Sequence, residues 1–147
     1  MLIRNVVAVV ALAVVSALLQ PAFAQDKPYR EGTIWSLSFV KVKPGMFDVS
    51  MREVAPHRKQ IMEEAKKQGL VLSYKVLSGN SANPSDWDVL FMDEYKNWAA
   101  FDGLNEKFDA IQSKLIGNEE KQAQIMVKRT EVREIVGDKV MQELILK

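Results

Sequence analysis

The segment Trp87–Tyr95, "WDVLFMDEY", sets the strongest limit on how this chain can fold. In an extended backbone, successive side chains point to opposite faces. Trp87, Val89 and Phe91 fall on one face and Leu90 and Met92 on the other, so the centre is apolar on both. Leu70–Ser78, "LVLSYKVLS", reads similarly, with Leu70, Leu72, Tyr74 and Val76 opposed by Val71 and Leu77. Strands that are dry on both faces need cover above and below. The fold must therefore supply two covering layers.

The flanking segments say what one of those layers is. Thr33–Val42, "TIWSLSFVKV", alternates and is rich in β-forming residues, and Pro44-Gly45 ends it. Phe47, Met51, Val54, Ile61, Met62 and Ala65 follow helical spacing, with Arg58 the one polar member of that stripe. Pro56 lies inside this helix, and the backbone bond it removes predicts a kink or break near Val54–Pro56. After the loop "GNSANPSD" and the Trp87–Tyr95 strand, Asn97 is placed to cap a second helix. Phe101, Leu104, Phe108, Ile111 and Leu115 form its apolar stripe, with Gly103 inside it and Gly117 at its end. Asn118 to about Lys128 reads as a charged helix. Beyond Arg129 two readings stay open, an extended helix or a bent strand around Gly137-Asp138, and the favoured ending is a final strand at Val140–Leu146.

The order is β-α-β-β-α-β, an α+β ferredoxin-like pattern in which both helices stack on one face of an antiparallel sheet. The other face then needs a second copy of the same sheet, so the pattern predicts a homodimer. The competing reading is a monomer that exposes Leu90, Met92, Val40 and Val42 as an apolar patch.

The first residues stand apart from the fold. Arg4 is followed by the apolar run Val6–Leu19 and then by Pro21 and Ala22-Phe23-Ala24. A charged start, an apolar middle and a small-x-small exit form the pattern of a secretory signal peptide. The run is 14 residues long, against roughly 20 for a membrane span, which favours cleavage after Ala24 over an uncleaved anchor. Residues 1–24 are thus expected to be a signal peptide, 25–32 a flexible arm and 33–147 a single domain, periplasmic or secreted, with no stable membrane anchor after cleavage. Without Arg4, 19 basic residues balance 19 acidic ones. A neutral chain has no overall attraction for nucleic acid or an anionic membrane. Cysteine is absent, so neither disulfides nor a lipoprotein anchor is available.

The strand pattern and the segment "WDVLFMDEYKNWAAFDG" resemble the dimeric α+β barrel superfamily, whose two ferredoxin-like sheets close face to face. That superfamily includes antibiotic-biosynthesis-type monooxygenases, stress-responsive barrel proteins and haem-degrading relatives. The resemblance runs from about Thr33 to Gly117 and more loosely through the C-terminus, and similar segments recur in short exported proteins. It implies a barrel domain and a homodimer, without a transferable catalytic motif.

Candidate site residues follow from the facing pattern. If Trp35, Leu37 and Phe39 face the helices, Ser36 and Ser38 share the second face with Leu90 and Met92 and leave room for a ligand. The alternative is that both serines pack on the partner sheet. Trp35, Tyr74 and Trp87 offer rings for a small apolar or aromatic ligand, although aromatics at such spacing also build cores. His57, the single histidine, is the candidate catalytic residue or haem ligand, with an exposed helix position as the alternative. Asp86, Asp88, Asp93 and Glu94 do not converge on one face and are expected to be structural. A Cys/His metal cage, a phosphate loop and a nucleophile elbow have no sequence support. The expected function is an exported, homodimeric small-molecule-binding barrel with no cofactor. The alternative is a cofactor-independent monooxygenase or a haem-handling enzyme using His57.

Overall fold

A computed structural model describes residues 26–147 of the chain. The signal-peptide expectation lies outside these residues. The elements run β1 (Tyr29–Val42), α1 (Phe47–Lys67), β2 (Ser73–Ser78), β3 (Val89–Tyr95), one tight helical turn (Trp98–Phe101), α2 (Leu104–Leu115), α3 (Glu119–Val132) and β4 (Arg133–Leu146). The sheet order is β2-β3-β1-β4, and every neighbouring pair is antiparallel. This is the ferredoxin-like α+β arrangement, with α3 as an additional helix.

Register decides which residues meet the helices. Along β1 and β3, Ser36 lies opposite Asp93 and Ser38 opposite Phe91, while Leu37 lies opposite Met92 and Phe39 opposite Leu90. Ile34 packs with Met62 and Ala65 of α1 and with Leu104 and Ile111 of α2, and Val40 and Val42 pack with Val54 of α1. The even-numbered residues of β1 therefore face the helices, and Trp35, Leu37 and Phe39 lie on the open side. The conditional facing of the sequence reading is reversed. The long Arg58 side chain descends from α1 into the space that the small Ser36 and Ser38 leave on this face.

Several boundaries also differ. β1 begins at Tyr29, so the second half of the expected arm is strand, with Tyr29 opposite Leu146 and Arg30 opposite Ile145. The long β1 gives β4 a template of equal length. Accordingly β4 starts at Arg133 rather than Val140, with an irregularity between its pairings at Gly137 and Ile135. β2 is shorter than expected and lies at the sheet edge, where Leu72, Val76 and Leu77 are exposed. Its dryness on both faces therefore does not hold for a single chain. α1 continues through Pro56 without a break. Pro56 is exposed, so the carbonyl it leaves unpaired falls on the solvent side of the helix, where water can serve it.

Gly103 is not a helix-interior residue. It sits between the tight turn and α2 with φ +62°, a left-handed conformation that splits the expected helix in two. A Cβ there would meet nothing closer than 3.8 Å, so the obstacle to substitution is backbone conformation alone. Gly103→Ala is expected to lower stability by about 1 kcal/mol, read as a lower urea midpoint with unchanged slope. An unchanged midpoint would contradict the left-handed turn.

Candidate functional site

The layer between sheet and helices is not one continuous core. One apolar cluster gathers Ile34, Met62, Ala65, Tyr95, Leu104 and Ile111. A second gathers Val40, Val42, Val54, Val89 and Phe91. On α1, β1 and β3, polar residues on the inward face lie between the two clusters. Arg58 separates Val54 from Met62 on α1, Asp93 separates Phe91 from Tyr95 on β3, and Ser36 and Ser38 separate Ile34 from Val40 on β1. All four line a cavity of about 450 Å³ that lies between the two clusters. That size is ordinary for a small-molecule site, and the cavity is open to solvent on one side.

Arg58 and Asp93 form an ion pair across this gap, with about a fifth of each side chain exposed. Burial pushes the Asp93 carboxyl above its ordinary range, and the Arg58 guanidinium offsets only part of that. The guanidinium also lies 4.5 Å from the centre of the Phe91 ring, a cation–π contact that holds it against the strand. Tyr95, one side-chain repeat further along β3, is pushed up to about 12 by burial and then by the Asp93 charge. Its hydroxyl therefore stays protonated near neutral pH and can donate a hydrogen bond.

Two further arginines enter the cavity from the C-terminal part of the chain. Arg129 comes from the last turn of α3 and Arg133 from the first residue of β4. The Arg133 guanidinium lies 5.3 Å from the centre of the same Phe91 ring. Burial, reinforced by the Arg129 and Arg58 charges, lowers Arg133 to about 10. Burial also lowers Arg129, Glu53 opposes that shift, and Arg58 adds to it. Among the described residues, neither Arg129 nor Arg133 reaches ion-pair distance of a carboxylate, and Asp93 is the only acid in the lining. The buried Nε–H groups of Arg58 and Arg129 find no acceptor among the described residues. Asn105 and Gln112 of α2 add neutral polar groups, and Phe101 and Phe108 add aromatic walls.

The candidate site residues named from the sequence divide between two places. Ser36 and Ser38 line the cavity, on the helix side of the sheet. Trp35, Leu90 and Met92 lie on the open side, separated from the serines by strand alternation. Trp87 packs there too, its ring centre 5.2 Å from that of Phe39. The grouping of Ser36 and Ser38 with Leu90 and Met92 on one face is thereby corrected. Tyr74 lines a smaller cavity of about 200 Å³ at the α1–β2 edge and donates to Glu63 Oε1 at 2.8 Å. His57 lines neither cavity, and its Nδ1 lies 3.1 Å from the Glu53 carbonyl one helical turn earlier.

The carboxylates separate as alternation requires. Asp88 is held below its ordinary range by the Ser81 hydroxyl and by the Val42 N–H at 2.8 Å, closing the β2–β3 loop against β1. Asp86 is lowered by the N–H groups of Ala82 and Trp87. Glu94 accepts from Thr33 and Ser73 on its strand neighbours. Asp93 alone joins the cavity. Among the described residues no group of three or more His, Asp or Glu is placed to hold a metal ion. The sequence reading missed Arg129 and Arg133. The available signal was the four-residue spacing of two arginines across a helix end, and it was obscured while residues beyond Arg129 had two competing readings.

No protein-family model matches this chain, and no curated protein matches it. Among solved structures it is similar to a dimeric ferredoxin-like protein from an uncultured marine organism, at 14% identity over 80% of this chain and 98% of that one, with a TM-score of 0.47. It is also similar to HapK from Hahella chejuensis, at 15% identity over 75% of this chain and 91% of that one, with a TM-score of 0.38. At this distance the site has to be read from its own residues.

Arg58→Met leaves the Asp93 carboxylate desolvated without its counter-ion. A loss of about 2 kcal/mol at pH 7 is expected, below the full cost for a wholly buried pair because both groups retain some exposure. The sign of the pH dependence follows from Asp93. Its folded pKa is raised, so folding disfavours the carboxylate and favours the protonated acid, and the variant raises that pKa further. The deficit should therefore shrink as pH falls and Asp93 takes up a proton. Urea unfolding of both proteins at pH 7 and pH 4 checks this, and a deficit that is the same at both pH values would contradict it.

Proposed function

We propose that the protein is an exported, homodimeric binding protein for a small molecule, with the ligand seated between the sheet and the helices. The observation that carries this reading is the cavity between the two apolar clusters. A layer selected for stability alone would close that gap with apolar side chains, and burying charged groups without partners costs several kcal/mol. Here every element bordering the gap contributes polar groups instead. Such departures from a packed core concentrate at functional sites.

Dimerisation is supported by the open side of the sheet. Trp35, Phe39, Leu90 and Met92 lie half-buried there around a buried Leu37, with Leu77 and Met141 at 50% exposure on the flanking strands. Lys75 spans the edge with its ammonium 5.3 Å from the centre of the Trp35 ring. A contiguous apolar sheet face of this kind suits a second copy of itself. The ligand cavity and the proposed dimer face use alternate residues of the same strands. The histidine-dependent enzyme reading has no comparable support, because His57 stands outside the cavity.

Export is carried by the N-terminal pattern, and an intact mass beginning at Gln25 in the cell-envelope fraction checks it. Native mass spectrometry of the purified protein is expected to report a dimer. Leu90→Lys, which places a charge on the open face, should yield a folded monomer. Binding of the neutral dye prodan should be abolished by Ser38→Trp, which fills the cavity, and retained by Leu90→Lys. A monomeric parent protein would overturn the dimer, and dye binding that is indifferent to Ser38→Trp would overturn the cavity as the binding site.

A further inference from the structure

We infer that the cavity takes an organic anion, a carboxylate or phosphate head gripped by Arg129 and Arg133 with an apolar body among the aromatic walls of the same cavity. This deepens the small-molecule reading above and rests on it.

Charge balance is the first support. Three guanidinium groups line the cavity against one carboxylate, and that carboxylate is already engaged by Arg58. Arg129 and Arg133 are left as the unpaired cations, with Glu53 acting on Arg129 from outside the lining. Arg58 and Arg133 both approach the Phe91 ring, so two like charges share one aromatic ring inside a partly desolvated space. Arginines withdrawn from water usually meet carboxylates of their own chain. These two do not among the described residues, so a ligand is the natural source of the missing negative charge.

The second support is hydrogen-bonding capacity. The Nε–H of Arg129 is buried without an acceptor, as is that of Arg58. Tyr95, Ser36, Ser38, Asn105 and Gln112 all bring donors to the same cavity. Those five side chains can accept as well as donate, so the excess of donors comes from the guanidinium groups, and a carboxylate offers acceptors only. The planar guanidinium fork matches both groups in bidentate geometry. A neutral ligand would leave both half-buried cations without an ion-pair partner. A bare inorganic ion would leave Phe101, Phe108 and Leu104 facing empty space. An amphipathic acid meets both requirements.

The test compares three probes that share one ring system: 2-naphthoate, 2-naphthyl phosphate and the neutral 2-naphthamide. Each is titrated against the purified protein by calorimetry and by displacement of prodan. At least one anion should bind about ten-fold or more tightly than the amide, as expected for charge-assisted bonds. Whichever of the two binds tighter identifies the head group. Arg129→Gln and Arg133→Gln should each remove most of that preference, while Leu90→Lys, on the opposite face of the sheet, should keep it. Arg133→Lys, which keeps the charge, should retain part of it and controls for loss of the fold. Equal binding of amide and anions would overturn the inference and leave the small-molecule reading standing. An anion preference that survives both glutamine variants would also overturn it, by placing the anion elsewhere. Failure of prodan and all three probes to bind would overturn both readings together.

Discussion

The Arg58–Asp93 ion pair is the interaction around which the rest of the molecule is arranged. It joins the middle of α1 to the central strand at the level where the layer between sheet and helices changes from apolar to polar. Above and below it the core is ordinary: Ile34, Met62 and Ile111 on one side, Val40, Val54 and Val89 on the other. At its own level the packing opens into a cavity. Asp93 is raised by burial despite its partner, which means that the pair does not fully recover the cost of removing the carboxylate from water. Such a pair is weak evidence for stability and better evidence for a role. Here that role is to fix one guanidinium against Phe91 and engage the only acid in the lining among the described residues. Arg129 and Arg133 are left available.

On the proposed reading, strand alternation alone divides the sheet between two tasks. The even-numbered residues of β1 and the odd-numbered residues of β3 build the cavity, and their neighbours build the open apolar face. A substitution on one face need not touch the other, so binding and association are separable by experiment. The two remain physically linked through the backbone of the same strands. β4 joins them at the edge, since Arg133 and Ile135 point to the cavity while Met141 lies on the open side.

Much of the fold was legible from hydrophobic spacing. The order of the elements, the two-sided character of β3 and the separation of the carboxylates all follow from period-two and period-3.6 patterns. Arg58 was visible as the single polar residue on the apolar stripe of α1, and Asp93 as a polar residue on the strand face that it shares with Phe91. Joining them required knowing which face of β1 met the helices. Local sequence does not decide that, because both faces of β1 carry apolar residues and the choice rests on pairing with β3. The arginines at the α3–β4 junction were hidden for a different reason. "TEVREIV" suits a helix or a strand by composition, and only the equal length of β1 as a pairing template selects the strand. Pro56 shows the opposite error. A strong local signal for a break is overridden because the unpaired carbonyl is on the wet side of the helix.

The central claim is that Arg129 and Arg133 are held in the cavity without an ion-pair partner until an anion arrives. The most direct measurement is the arginine side-chain Nε–H region of a nitrogen-15 NMR spectrum, assigned by single substitution and recorded with and without 2-naphthoate. The cavity arginines, Arg129 and Arg133 foremost, should shift and gain protection from solvent exchange on adding the acid, while surface arginines such as Arg30 and Arg52 stay unchanged. Equal small shifts across all arginines, or none at Arg129 and Arg133, would contradict it.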